Sequence, residues 1–267
     1  MTAMLRIYSA QLRKSLIIQF QYRVAMMIWM IDLILGPVIY LVVWSSVAQS
    51  SGGTVGGFSA SDFAAYYIIL MVVMHATQIW HMWEYEYNIR MGIFSIKLLR
   101  PVHPIHEDIA QNLAYKLLML AVVIPTVILL VLIFRPAWNP PLWAVLVFPI
   151  ILFLAGAVSF LSGWIIAMAA FWTTRIYAVN QLYFVAMMFL SGYIAPLELL
   201  PPSVQSVANL LPFRWMIAFP TELMLGRLSP EQALKGLLTQ FLWIGLLLLS
   251  LSIVWRTAVK RYSAVGA

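Results

Sequence analysis

Long uncharged apolar stretches alternate along the chain with short segments that hold nearly all of its lysines and arginines. Six of these stretches are of bilayer length, at about residues 24–48, 63–83, 112–134, 142–170, 177–195 and 236–255. A helix crosses ~30 Å of hydrocarbon in about 20 apolar residues, and only helices or closed barrels satisfy their backbone there. The runs are continuous, without the period-two alternation of a barrel strand, so they predict helices. Ahead of them, Met4, Tyr8, Leu12, Leu16 and Phe20 recur every fourth residue while Arg6, Arg13 and Lys14 point elsewhere. That pattern predicts an amphipathic interface helix over residues 1–22. It lacks the apolar core and small-residue cleavage site of a signal peptide, so it is expected to be retained.

Composition agrees: charged residues make up 9% of the chain and hydrophobic ones 63%, where a water-soluble domain carries about 25% charge. Without cysteine there are no disulfides, iron–sulfur clusters or thiolate metal sites. The net charge of +7 is explained by position. With the amino terminus inside, the cytoplasmic segments hold Arg6, Arg13, Lys14, Arg23, Arg90, Lys97, Arg100, Lys116, Arg175, Arg256, Lys260 and Arg261; the outer segments hold Arg135, Arg214, Arg227 and Lys235. The positive-inside rule thus predicts cytoplasmic termini, and anionic lipid rather than nucleic acid accounts for the charge.

The connections differ in kind. Residues 49–61 are a short Gly/Ser loop, residues 84–111 a charged cytoplasmic segment, and residues 196–235 an external stretch rich in proline yet strongly apolar. The last predicts short helices broken at Pro201 and Pro212 that dip back against the spans as a re-entrant hairpin. The expected fold is an all-α membrane protein with six transmembrane helices, the interface helix, a short cytoplasmic helix near residues 93–99 and this hairpin. The six spans show no internal repeat, which weakens an inverted-repeat secondary transporter. From the residues alone, the 93–99 helix either lies on lipid or inserts into a partner's groove.

Two elements carry a resemblance: Gly92-x-Phe94-Ser-x-x-Leu98-Leu99-Arg100-Pro101 after the second span, and Leu190-Ser-Gly192-Tyr-Ile-Ala-Pro196-Leu-Glu-Leu-Leu-Pro201, followed by Leu211-Pro212-Phe213, before the sixth. In this topological order the chain resembles the membrane subunit of type-2 ABC exporters, in the bacterial branch with a Leu-Leu-Arg-Pro coupling segment. The resemblance implies a single permease domain in the bacterial plasma membrane. It makes Gly92 to Pro101 a coupling helix that docks on a cytoplasmic ATPase, with Phe94, Leu98 and Leu99 as the buried anchor, Arg100 as polar contact and Pro101 as the stop. It makes Gly192, Pro196, Pro201, Pro212 and Phe213 part of an external hairpin that caps the pathway. Two ATPase subunits, holding ATP and Mg, and a second permease, identical or different, would complete the transporter. The chain itself has no G-x-x-x-x-G-K-[ST] to cradle phosphates, so it is not expected to be an enzyme or to bind a cofactor.

Asp32 is the acidic residue deep in a span, at a cost of about 2.5–3.5 kcal/mol on the insertion scale. Either it lies on a substrate pathway with Trp29, Tyr40 and Trp44, favouring cationic aromatic compounds, or it clasps neighbouring helices. His103, His106 and Glu107 could be read as metal ligands, but Pro104 suits a first helical turn and acids favour a helix start. The small residues Ala155, Ser159, Gly163 and Ala167 predict close helix packing. The substrate expected is lipophilic or amphiphilic, a cationic drug among the candidates. An ion-coupled secondary transporter and a non-transporting scaffold are the competing classes.

Overall fold

A computed structural model describes residues 2–173 and 175–262; of these, the side chains of residues 2, 3, 23, 25–27, 29, 30, 32 and 33 lie outside the description. The chain runs α1 (Thr2–Gln21), α2 (Arg23–Ser50), a two-residue-stranded hairpin β1 (Thr54–Val55) and β2 (Phe58–Ser59), α3 (Ala60–Thr77), α4 (His81–Arg90), α5 (Phe94–Leu98), α6 (Pro104–Phe134) and α7 (Leu142–Ala167). It continues through a 3-10 turn at Met168–Phe171, α8 (Tyr177–Leu190), a second 3-10 turn at Leu197–Leu199, α9 (Pro202–Leu210), α10 (Pro212–Met216), α11 (Ala218–Met224) and α12 (Pro230–Arg261).

Among the described residues four helical columns are long and apolar enough to cross a membrane: Ala60–Arg90, Pro104–Phe134, Leu142–Phe171 and Pro230–Arg261. The other two expected spans are α2, whose described apolar part is Ile34–Ser50, and α8. At 14 residues and 1.5 Å per residue, α8 reaches about 21 Å, and the chain leaves the helix at Ser191 rather than near residue 195. Two helices start before their expected spans because hydropathy stops at a charge, whereas a backbone ladder does not. α6 begins at Pro104 instead of residue 112, and α12 at Pro230 instead of residue 236, after a capping box between Ser229 and Gln232. The expected second span at 63–83 is not one helix: α3 starts at Ala60 and stops at Thr77, and after a break at residues 78–80 α4 carries this second column of the chain on to Arg90.

α3 is the central column. Tyr66, Tyr67, Leu70, Met71 and Val73 are fully enclosed, and α2, α6, α7 and α11 pack around it. The outer faces of α2, α6, α7, α8 and α12 display Ile39, Leu132, Phe153, Leu182 and Leu249. Such an apolar exterior suits hydrocarbon as solvent. The small-residue stripe of α7 is an interhelical seam: Gly163 faces Ile79, the Ser159 hydroxyl donates to Thr77 O at 2.7 Å, and Gly156, beside the stripe, faces the Ala76 carbonyl.

α1 lies along the first half of α6 through polar contacts: Tyr8 Oη sits 2.7 Å from His106 Nδ1, Lys14 pairs with Glu107 at 2.7 Å, and Gln19 donates to Gln111 O. Leu5, Ile17 and Phe20 point away from the protein. The face packed on α6 is therefore not the every-fourth-residue stripe as a whole: Tyr8 belongs to it, while Met4 and Phe20 are exposed.

Candidate functional site

The two ends of the bundle are built differently. At one, the hairpin end, the signature after α8 is pinned by side chains from α2 and α3. Tyr66 Oη donates to Gly192 O at 2.6 Å, while Tyr67 Oη and Trp44 Nε1 both donate to Ile194 O, at 2.6 and 2.8 Å. Gly192 has φ +87°, and a Cβ there would press on Tyr66 Oη and Ala218, so only glycine fits. Pro196 and Leu197 are buried, Phe213 meets Tyr183 with ring centroids 5.5 Å apart, and α9 and α10 start at Pro202 and Pro212. Glu222 and Arg214 form a largely buried pair at 2.8 Å; burial pushes the Glu222 carboxyl up from its usual range, against the opposing pull of Arg214. Arg227 closes the end, 2.8 Å from Glu198 and over the Phe58 ring at 3.5 Å.

The opposite, basic end is organised by one carboxylate. His103 caps α6, its Nδ1 accepting from Ile105 N at 3.2 Å. Burial and the neighbouring His106 hold His103 below its ordinary pKa, which favours the neutral ring that such a cap requires. Within the next turn Asp108 is completely buried. Its Oδ1 accepts from Lys97 Nζ at 2.7 Å, and its Oδ2 accepts from Tyr85 Oη at 2.5 Å and Trp164 Nε1 at 2.9 Å. A buried carboxylate is tolerable only when paired and hydrogen-bonded, and here one residue of α6 holds α4, α5 and α7 together.

Around this latch lies a ring cluster. Phe94 is fully enclosed, with centroids 5.2 Å from Tyr85, 5.3 Å from Phe171, 5.9 Å from Tyr262 and 6.4 Å from Trp255. Ser95 Oγ and Tyr262 Oη are 2.7 Å apart, tying the last helix to α5. Gly92 turns the chain between α4 and α5 with φ +69°, and α5 ends three residues before Pro101. Outside the latch, Arg100 pairs with Glu107 at 2.9 Å. Leu98 is half-buried, while Leu99 is 85% exposed beside exposed Met91, Ile93 and Ile96. The segment implied to be a docking element thus splits: Phe94 holds it to its own chain, Leu98 packs inward, and Leu99 is free for contact.

Trp29 and Asp32 belong to the side chains outside the description. Tyr40 packs against Tyr67 and Tyr193, and Trp44 stacks on Phe63, so both are brought to the hairpin signature. His103, His106 and Glu107 are each committed to the contacts above, and no cluster of three or more His, Asp or Glu fit to hold a metal occurs among the described residues.

Two adjoining cavities flank the break between α3 and α4. One of about 430 Å³ lies toward α8, between Met74, Met82, Tyr183, Phe184 and Met187. The other, about 790 Å³, opens by Glu84, Tyr87, Asn88, Lys97 and Glu107. Gln78, Trp80 and Trp83 line both. The carbonyls freed by the break are satisfied from outside the column: Ser159 donates to Thr77 O, and Asn112 donates to Gln78 O at 3.1 Å. Replacing Ser159 by alanine should therefore cost about 1 kcal/mol in a detergent unfolding titration; no loss would mean that the break needs no support from α7.

Sequence reasoning missed Lys97, Tyr85 and Trp164 as partners of Asp108, and it missed the break. The first had a signal: a lysine inside the coupling motif and an acid eleven residues on, across a Pro-containing turn. The second had almost none, because residues 77–80 contain neither Gly nor Pro.

These features define a multi-pass helical membrane protein with a charge-latched segment between the columns Ala60–Arg90 and Pro104–Phe134. The chain belongs to the ABC-2 transporter family: residues 34–266 match the family described as ABC-2 family transporter protein. No curated protein matches the sequence. As a member, it is a membrane subunit of an ABC transporter, and the family works with separate ABC ATPase subunits.

Proposed function

We propose that this chain is the permease of an ATP-driven exporter in the bacterial plasma membrane, that α5 and its flanks receive the ATPase, and that the cargo is lipophilic or amphiphilic. The observation that carries the reading is the division of labour in Gly92–Pro101: exposed Leu99 and Ile96 on the outer side, and Lys97 on the inner side bonded to buried Asp108. An apolar knob is suited to a partner's groove. A rigid ion pair behind it can carry displacement of α5 to α4, α6 and α7. Two permeases, alike or different, above two ATPases that hold ATP and Mg would complete the path, with six spans each, cytoplasmic termini and the hairpin outside. ATP-driven closure biases such a pair between inward- and outward-facing states, and cargo that binds the two unequally is exported.

Purification of the tagged chain from its own membranes in mild detergent tests the docking surface. A P-loop ATPase should accompany the unmodified chain and be reduced at least tenfold by Leu99→Asp, while the thermal unfolding midpoint stays unchanged because Leu99 makes no core contact. Equal recovery of ATPase with Leu99→Asp would remove this surface from the interface; no ATPase in any preparation would count against the permease reading itself.

A further inference from the structure

The break in the second column is a built feature. Non-helical backbone at membrane depth persists where protein covers it or where it lines a cavity, and both conditions hold at residues 78–80. Ser159 and Asn112 take two freed carbonyls, and cavities adjoin the break on either side. The inner cavity, about 430 Å³, falls within the size of small-molecule sites. Its walls are rich in thioether and aromatic side chains, Met74, Met82 and Met187 with Tyr183 and Phe184; methionine adapts its shape to varied apolar bodies.

The junction is polar in a selective way. Gln78 Oε1 is buried without a hydrogen-bond partner among the described residues. Three acids lie close together at this end, and two are spent: Glu107 on Lys14 and Arg100, Asp108 on Lys97. Glu84 lines the outer cavity, shares a side-chain hydrogen bond with Trp80 and forms no ion pair among the described residues, and Trp80 and Trp83 line the same space. The Trp80 ring is stacked on His81, with centroids 5.0 Å apart, so its other side is what it can offer a ligand; a carboxylate beside indole rings attracts an organic cation through charge and ring quadrupole together.

We infer that the break at residues 78–80 is a binding site for a monovalent lipophilic cation, its charged centre held by Glu84 between Trp80 and Trp83 and its apolar body in the methionine-rich cavity. Binding there does not depend on the exporter reading; only the release of the bound cation across the membrane does. The site also moves cation recognition from the first span, where Asp32 suggested it, to the second.

The absence of cysteine makes a clean test possible. Full-length Met187→Cys protein in lipid nanodiscs is alkylated with a maleimide, with and without tetraphenylphosphonium. The cation should slow labelling at least fivefold; neutral triphenylphosphine oxide should not, and adding Glu84→Gln should abolish the protection. Undiminished labelling with the cation, or protection that survives Glu84→Gln, would overturn the site. Should either variant fold poorly, equilibrium dialysis of tetraphenylphosphonium against the unmodified protein and Trp83→Ala decides, with at least tenfold weaker binding expected for the variant and equal binding overturning the proposal. ATPase capture is scored separately. Capture without protection retires the cation site and keeps the permease, whereas protection without capture does the reverse.

Discussion

Alanine at position 108 is expected to destabilise the protein by about 3–5 kcal/mol, the range for breaking a buried ion pair by removing one partner. The substitution orphans three donors at once, Lys97 Nζ, Tyr85 Oη and Trp164 Nε1. Tyr85 and Trp164 are enclosed and have no route to water, whereas Lys97, 16% exposed, can partly swing outward. Asp108→Asn, which keeps an acceptor for one of them, should lose less. Denaturation in mixed detergent micelles reads the difference, and a loss below about 1 kcal/mol for Asp108→Ala would mean that the cluster is not what holds this end. The neighbouring position separates holding from transmission. Lys97→Met leaves Leu99 in place but strips buried Asp108 of its counter-charge, so stability should fall as well; in the protein that stays folded ATPase capture should persist while transport falls, and transport at the unmodified rate would show that ATPase docking does not act through the pair.

Phe94→Ala should be comparably severe, about 3–5 kcal/mol as for other buried phenylalanines, because the ring is enclosed by Tyr85, Phe171, Trp255 and Tyr262. Phe94→Leu should recover most of the loss. The measurement also discriminates between two roles for one residue. If Phe94 is internal mortar, stability and ATPase capture fall together; if it is part of the docking face, capture falls and the unfolding midpoint stays where it was. The second outcome would mean that α5 rotates to expose the ring when the ATPase binds.

Much of the architecture could be read from hydropathy because a lipid solvent leaves a coarse, long-range mark: apolar runs of about twenty residues with basic ends. The hairpin helices were foreseeable from Pro201 and Pro212, since proline fixes where a helix can start. Fine boundaries were not. Ser59 caps α3 through a reciprocal box with Asp62, and Ser229 caps α12 with Gln232, yet both boxes sit before runs that hydropathy alone begins later. Asp108 was visible as an acid near a helix start, and that position suggested a dipole contact; its three partners come from residues 85, 97 and 164. No local pattern reports a meeting of that kind. Phe94 shows the same limit from the other direction, because a motif implied by resemblance names the residues of a segment without saying which side each one faces.

The interrupted second column also has a mechanical meaning. A continuous helix resists bending through its own hydrogen-bond ladder, but between Thr77 and His81 that ladder is absent, and lateral stiffness there is borrowed from Ser159 on α7 and Asn112 on α6. Torque applied to α4 through Tyr85 therefore meets those two side-chain tethers, and the packing of α3 and α4 on α7, before it reaches α3. Bending at this point is opposed by two polar groups on neighbouring helices where the column's own hydrogen bonds are missing.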